Sequence, residues 1–409
     1  MREISLAEAK GLPRWRQPIA LLVIFAIAMP LAFNVWAALL NNFVIEVADF
    51  DGAAIGWLHS IREVPGFLAV GVIAIIMFMR EQLLGIISLA LLGVATAITA
   101  WFPTFGGILT LTMLSSIGFH YYETVNQSLQ LQWIDKKRAP QMLGWLSAVG
   151  SCATLIAYVS IVLTWKYLGL TYNVAYMIAG GSTLMLSVFA FFYFPYFRAD
   201  TPQVTKMVLK KRYGLYYALQ FMAGARRQIF MVFVGFMMVE RFGFEVHQLT
   251  ALYLINLVIN IFMAPVIGGL VARFGERRAL LFEYLGLILV FSAYGGIYWF
   301  GWGVVLASIL YVVDHIFFAL ALALKTYFQK IADPEDIAPT AAVAFTINHI
   351  SAVFLPVLLG YLWLTSPALV FVAATFMALG SFSLALLIPR HPEKGNETIF
   401  GGIGQPRSA

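Results

Sequence analysis

The sequence predicts an all-α integral membrane protein with twelve spanning helices in two six-helix halves, and three observations predict it. Twelve apolar stretches fill the 409-residue chain almost end to end, each near the length of about 20 residues that crosses a bilayer as a helix. The composition is 61% hydrophobic and 11% charged, against roughly 25% charged in soluble domains. The longest polar connection, 196–214, falls after the sixth stretch and divides the chain into halves 1–195 and 215–390. A polar, Gly-containing tail, 391–409, is expected to be disordered.

The predicted spans are 18–44, 53–79, 83–101, 105–133, 140–164, 170–195, 215–239, 248–271, 279–300, 302–328, 338–363 and 367–388. In order, the first carries Asn34 at mid-depth, and the second carries Arg62 and Glu63 before a Pro65-Gly66 bend. The fourth carries His120 and Glu123, and the fifth holds the single cysteine, Cys152, read as a small apolar filler. The seventh carries Arg226 and Arg227, and the eighth an Asn256/Asn260 pair. The ninth has only Glu283, near its start; the tenth carries Asp314 and His315, with Lys325 further along. The eleventh carries Asn348-His349, and the third, sixth and twelfth have no internal charge. The first stretch is too long for a signal peptide and lacks a small-residue cleavage site after it, so it is expected to be retained.

Most of the 26 Lys and Arg residues fall on one set of connections. They are Arg2, Lys10, Arg14, Arg16, Arg80, Lys136, Lys137, Arg138, Arg198, Lys206, Lys210, Lys211, Arg212, Arg273, Arg277, Arg278, Lys330, Arg390, Lys394 and Arg407; Lys166 and Arg241 stand on the other side. By the positive-inside rule both termini are cytoplasmic and the protein is multi-pass in the cell membrane. The formal charge of +6 records this bias, and its scatter over short loops argues against a nucleic-acid partner. One cysteine excludes an internal disulfide framework and a cysteine-rich metal site.

The halves echo each other. Gln132-Trp133-Ile134-Asp135 leads to Pro140 after the fourth span, and Gln329-Lys330-Ile331-Ala332-Asp333 leads to Pro339 after the tenth. Both prolines are placed near the first turn of the next helix, where a missing N–H costs little. With a 6+6 layout this supports duplicated halves.

Between spans eight and nine runs Gly268-Gly269-Leu270-Val271-Ala272-Arg273-Phe274-Gly275-Glu276-Arg277-Arg278. It resembles the cytoplasmic loop signature of the major facilitator superfamily through Gly268, Arg273, Gly275, Arg277 and Arg278; Ala272 stands at the usual Asp position. The first-half counterpart around Met79-Arg80-Glu81-Gln82 lacks the pattern. The resemblance implies a transporter in which helices one, four, seven and ten line a central cavity and three, six, nine and twelve lie outside. The buried charges follow that division.

Charges in membrane helices are costly and face an interior or an aqueous cavity. Arg226 and Arg227 read as an anion clamp, since guanidinium pairs bidentately with carboxylate or phosphate, or as a structural ion pair. Adjacent helical residues point about 100° apart, so at most one aims squarely inward. Asp314 and His315 read as a proton-coupling site, or Asp314 as the ion-pair partner of an arginine. His120 and Glu123 share one helical face and, with Asn34, are substrate-binding candidates; hydrogen bonding to other spans is the bland alternative. Arg62, Glu63 and the loop residues Gly268, Arg273, Gly275, Arg277 and Arg278 are candidate gating elements, with packing partners or a tight turn as the alternative. The asparagines of spans eight and eleven read as interhelical packing groups.

Neither HExxH, a complete Walker loop nor a GxSxG elbow occurs, and no residue spacing argues for a metal or cofactor. The expectation is therefore a non-enzymatic secondary transporter. It would move a small anionic or zwitterionic organic solute by alternating access, coupled to protons, as a monomer in the bilayer. The competing expectations are an exporter of amphipathic compounds and a non-transporting assembly or sensor protein on the same fold.

Overall fold

The computed structural model describes residues 3–68, 75, 78–134, 139–198, 209–333 and 336–401. Residues 69–74, 76 and 77 of the second predicted span, the basic residues Lys136, Lys137, Arg138 and Lys206, and the last eight residues of the tail lie outside them.

The helices are α1 (Pro18–Glu46), α2 (Gly52–Phe67), α3 (Glu81–Ile98), α4 (Phe105–Trp133), α5 (Ala139–Leu168) and α6 (Tyr172–Tyr193), followed by α7 to α12. Of these, α7 runs Gly214–Gln228, widens into a π-helical stretch Ile229–Val234, and resumes as Gly235–Glu240. Next come α8 (Val246–Phe274) and α9 (Glu276–Phe300). The tenth, α10, is interrupted, Val304–Ala319 then Leu322–Ile331; α11 is Ile337–Thr365 and α12 is Pro367–Leu386. Among the described residues, 10 helices are long and apolar enough to cross a membrane. The other two predicted spans fall on α2, whose description stops at 16 residues, and on α4. At 29 residues α4 is long enough to span, but Ser115, Ser116, His120, Glu123 and Gln127 lower its apolarity.

Local chemistry sets the ends. Pro18 and Pro367 open α1 and α12 at positions that need no N–H donor. Thr104 caps α4 by accepting from the Gly107 N–H at 3.1 Å. Pro140 and Pro339 sit in the first turns of α5 and α11. One residue, Gly275, joins α8 to α9; its φ of 82° is the left-handed geometry that glycine adopts without Cβ strain.

The chain forms two compact units, 1–50 with 61–204 and 244–254, and 51–60 with 205–243 and 255–409. In unit 1, α1 packs against α5 and α6, and α3 against α4 and α6. In unit 2, α7 packs against α11 and α12, and α9 against α10 and α12. The neighbour pattern is the same six helices later. Hydrophobic burial alone does not drive such packing in lipid, so close backbone approach matters. A Cβ on Gly93 of α3 would stand 2.8 Å from the Gly180 carbonyl oxygen of α6.

A second equivalence is chemical. In unit 1, Glu81 at the start of α3 accepts from Gln132 (2.6 Å) and Ser128 (3.1 Å) in the last turns of α4. In unit 2, Glu276 at the start of α9 is buried and pairs with Lys330 in the last turn of α10 at 2.7 Å. An acid opening the third helix of each half is thus held by the end of the fourth. Glu276 supplies a loop carboxylate next to the position where Ala272 replaces the expected Asp.

Two helix tips leave their sequence halves. The start of α2 belongs to unit 2, where Trp57 donates to the Tyr361 hydroxyl at 3.3 Å and Ser60 Oγ accepts from the Val357 N–H at 3.2 Å. The start of α8 belongs to unit 1, where Tyr253 lies 6.1 Å from Tyr158, centroid to centroid. Just before it, the Phe244 carbonyl accepts from Asn42 at 2.6 Å.

Each unit also ties down its own chain end. In unit 1, Glu3–Ser5 forms strand β1, parallel to β2 (Tyr196–Arg198), and Glu3 pairs with Arg80 at 2.8 Å. The tail, expected to be disordered from 391, is instead docked in unit 2 as far as 401. Lys394 pairs with Asp333 at 2.6 Å, Tyr327 donates to the Glu397 carbonyl at 2.6 Å, and the Ile399 N–H reaches the Leu387 carbonyl at 2.9 Å. Buried Glu397 also lies 3.6 Å from Arg212, which pairs with Asp333 at 3.1 Å. Apolar composition was too low to suggest this docking, which combines ion pairs with hydrogen bonds to the backbone.

Candidate functional site

The buried charge concentrates in unit 2, on α7, α9 and α10. Arg226 is 2% exposed, and its Nη1 donates to Glu283 Oε1 at 3.2 Å. The guanidinium lies over the Tyr284 ring, 4.3 Å from its centroid, a cation–π contact strengthened where water is excluded. Glu283 is 0% exposed and Asp314 1% exposed. Oδ2 of Asp314 has no hydrogen-bond partner among the described residues. Two helices therefore bring a carboxylate and a guanidinium together in a dry place, and a third buries a second carboxylate in the same unit.

This geometry corrects two expectations. Arg226 is engaged inside the protein rather than free to clamp a solute. Its ion-pair partner is Glu283 on α9, not an acid of the tenth span. Asp314 and His315 do not form a bonded relay: among the described residues no hydrogen bond joins them, and the half-buried His315 ring lies 6.1 Å from Phe230. Adjacent positions on a helix diverge, as they do for Arg226 and the half-buried Arg227.

Glu283 was named in the sequence yet left out of the candidate site, because the family's cavity division places the ninth helix outside. A signal was present. A lone acid inside an apolar helix must be matched, and the same half carries two arginines against one central aspartate.

The backbone beside the site is irregular. The π-helical stretch begins directly after Arg226-Arg227-Gln228, and such bulges often accompany function. In α10, Leu320 and Ala321 donate to Phe317 and Phe318 at 3.0 and 3.1 Å, a tightened turn that interrupts the helix after Asp314. Neither break carries a glycine or proline.

In unit 1 the candidates sit in hydrogen-bonded polar positions. Asn34 donates to Thr154 Oγ1 at 2.8 Å, joining α1 to α5. Buried His120 holds its Nδ1 3.0 Å from both Ser116 Oγ and the Ser116 carbonyl, while Ser116 Oγ donates to the Arg62 carbonyl of α2. Glu123 is hydrogen-bonded to Gln127, one turn on. Phe33 stacks on Phe119 at 4.1 Å beside this group. Arg62 and Glu63 are both buried and pair with each other, Nε to Oε1 at 3.2 Å. The helix runs through Pro65 and Gly66 to Phe67.

The remaining candidates are peripheral to these charges. Gly268 is within α8; Arg273 and Arg278 are exposed, Arg277 half-buried, and Gly275 makes the turn. Asn348 donates to the Gln220 carbonyl at 3.1 Å between α11 and α7, a packing role. Cys152 is exposed on α5 rather than a filler inside it.

The sequence profile of the Major Facilitator Superfamily matches residues 18–356. The chain belongs to that superfamily, and it is a membrane transport protein rather than an enzyme. No curated protein sequence matches it. Its fold is similar to the crystal structure of the nucleoside transporter NupG, with 15% identity, a TM-score of 0.71, and coverage of 90% of this chain and 98% of that one. It is similar to a bacterial homologue of the human lysosomal transporter Spinster in an inward-facing, unoccupied conformation (13% identity, TM-score 0.69, 92% and 97% covered). It is also similar to a POT family transporter in complex with 5-aminolevulinic acid (12% identity, TM-score 0.69, 90% and 94% covered). At these identities the likeness concerns the fold.

Proposed function

We propose that this protein is a proton-coupled secondary transporter of a small anionic or zwitterionic organic solute, working by alternating access in the cell membrane with both termini in the cytoplasm. The observation that carries the reading is the buried Arg226–Glu283 ion pair of α7 and α9, with a further buried acid, Asp314, on α10, next to irregular backbone. Buried charge of this kind is expensive and marks solute or proton handling in membrane proteins. No nucleotide-binding motif supplies another energy source. One fold neighbour is seen with 5-aminolevulinic acid, a small zwitterion, which supports that solute class.

Arg227, half-buried just before the π-helical stretch, is the guanidinium we assign to the solute in unit 2. Asn34, His120 and Glu123 are the corresponding assignments in unit 1. Asp314 couples protons by favouring one access state when its charge changes; a proton bound equally in both states would shift nothing. His315 tunes the pH dependence.

The test is uptake in proteoliposomes with and without an imposed pH gradient. Asp314→Asn is expected to abolish gradient-driven accumulation while solute exchange persists, and His315→Gln to move the pH profile more than the maximal rate. Arg227→Ala is expected to raise the half-saturation concentration at normal expression. Wild-type transport indifferent to the gradient and to uncoupler would defeat proton coupling. Broad competition among amphipathic solutes, with loss of Arg227 tolerated, would favour an exporter. No solute movement at all would favour a sensor or assembly role. Orientation is tested by cysteine labelling in a Cys152→Ser background. Sites at Arg138 and Gln203 should react from the cytoplasm and one at Thr104 from outside.

A further inference from the structure

We propose that the tail, residues 391–401, is a strap that clamps the second segment of α10 and slows its swing about the tightened turn at 317–321, a brake on the transport cycle. The clamp stands on packing within unit 2; its effect on transport rests on the reading above.

The clamped piece is short and hinged. At the break in α10 the N–H groups of Leu320, Ala321, Ala323 and Leu324 reach the carbonyls of Phe317, Phe318, Leu320 and Ala321 at 2.9–3.1 Å. Three-residue bonds inside a helix often mark a hinge. Beyond them lie the 10 residues Leu322–Ile331. A helix that short is not stable alone, so its neighbours decide whether it stays or swings.

Its neighbours fall into two sets. In the bundle, Lys330 pairs with Glu276 at the start of α9 at 2.7 Å, and Phe328 stacks on Tyr216 of α7, 4.3 Å between centroids. Arg212, just before α7, donates to the Ile331 carbonyl at 2.8 Å. In the tail, Lys394 pairs with Asp333 at 2.6 Å, and the Glu397 carbonyl accepts from Tyr327 at 2.6 Å. Arg212 joins the two sets, 3.1 Å from Asp333 and 3.6 Å from Glu397. Asp333 is therefore gripped on both oxygens, Oδ2 by Arg212 and Oδ1 by the tail.

The tail has a shape of its own. Glu393 and Asn396 bridge across a turn in which Gly395 takes a φ of 86°, a geometry suited to glycine. Asn396 donates to the His391 carbonyl, and the Gly395 N–H to the Glu397 carboxylate, both at 3.0 Å. Chain connection fixes one end to α12; at the other, the Ile399 N–H reaches the carbonyl of Leu387, the residue after α12, at 2.9 Å. The segment between these anchors crosses to the end of α10. Glu397 is buried there, whereas the Lys394 side chain is 65% exposed. Exposed ion pairs are weak, so this grip slows a swing without forbidding it.

Hydrogen exchange read by mass spectrometry on the full chain tests the clamp without any solute. Lys394→Ala should release 393–401 and raise exchange several-fold in 322–333, while 304–316 keeps its wild-type rate. Lys394→Arg should restore protection, and added potassium chloride should act on the wild type as Lys394→Ala does. For transport the probe is labelled 5-aminolevulinic acid in proteoliposomes. Lys394→Ala should take it up several-fold faster with an unchanged half-saturation concentration. A short thiol cross-link between Lys394→Cys and Asp333→Cys, in a Cys152→Ser background, should slow uptake. A tail released in Lys394→Ala with 322–333 unchanged overturns the clamp. So does a tail that stays protected in that variant, because the ion pair then does not hold it. Exchange raised equally in 304–316 overturns it too, since that is plain destabilisation. Exchange that behaves as stated, with wild-type uptake changed by neither release nor cross-link, overturns the brake alone. Uptake by none of the proteins overturns the brake together with the zwitterion reading, and the exchange rates still decide the clamp.

Discussion

The first and fourth helices are unbroken, 29 residues each, while their counterparts α7 and α10 are both interrupted. The two halves otherwise repeat the same neighbour pattern. On α1 and α4, the candidates Asn34 and His120 are held by hydroxyls and backbone, Asn34 by Thr154 and His120 by Ser116. On α7, Arg226 is a charge held against Glu283 of α9 in a dry interior, and Asp314 of α10 is buried as well. Irregular backbone in a membrane helix is tolerated only where protein or a cavity covers it. The comparison teaches that duplication preserved the packing while the charge chemistry, and the backbone freedom that goes with it, gathered in the second half.

The largest expected effect breaks the charge cluster. Arg226→Met leaves buried Glu283 without its counter-charge, and losing one partner of a buried pair costs roughly 3–5 kcal/mol. Its first-half contrast, Asn34→Ala, removes an interhelical hydrogen bond worth on average about 0.6 kcal/mol. Thermal melts in detergent compare them; similar losses would erase the asymmetry between the halves.

Next come the backbone contacts. A Cβ at Gly224 of α7 would collide with the Asn348 carbonyl of α11, whereas one at Gly150 of α5 would sit 3.2 Å from the Ala26 carbonyl of α1. Gly224→Ala should cost about 1–3 kcal/mol through overpacking. Gly150→Ala should be near neutral, its helix-propensity gain of up to about 1 kcal/mol offsetting a small shift. Equal melting shifts would mean that the two helix pairs are equally loose.

A smaller effect separates the two loop acids. Lys330 is 51% exposed at its side chain, so Lys330→Ala should cost up to about 1 kcal/mol and the loss should shrink as salt rises. Gln132→Ala removes a neutral donor from Glu81, and its cost of about 1 kcal/mol should not depend on salt. Chemical denaturation or melts at two ionic strengths decide this.

The smallest effect is the acid response of the tail. The Lys394 hydrogen bond, with Arg212 nearby, holds Asp333 below the ordinary carboxylate value of 3.8. Burial pushes Asp336 up, but Lys210 and Tyr213 outweigh it and hold it below that value too. Depressed acids contribute stability that is present above their unfolded value and lost as pH falls through the folded one. Hydrogen exchange of 393–401 should therefore stay slow from neutral pH down to the ordinary carboxylate range and speed up only below it. Release already at mildly acidic pH would show that other groups hold the tail.

Much of the fold was legible because membrane helices are long, apolar and bounded by polar turns. The fourth span was placed at 105–133, and α4 is Phe105–Trp133. The family signature around Gly275 fell on the one-residue joint between α8 and α9. Less of the charge site could be read. Arg226 and Asp314 stood out as isolated charges, but the pairing with Glu283 depends on how α7 and α9 rotate about their axes, which composition does not encode. The breaks in α7 and α10 have no glycine or proline to announce them. The exchanged tips of α2 and α8 and the docking of the tail are long-range pairings, with partners far apart in sequence.

The small β-bridge of unit 1 carries a consequence for biosynthesis. Glu3, Ile4 and Ser5 can find Tyr196, Phe197 and Arg198 only after those residues have been translated. By then the ribosome has passed through six hydrophobic segments. The amino terminus, first to emerge, can be fastened only once the sixth segment of its half has been made. A nascent chain arrested before residue 196 would leave Glu3 open to protease, whereas one extended past the central connection would protect it.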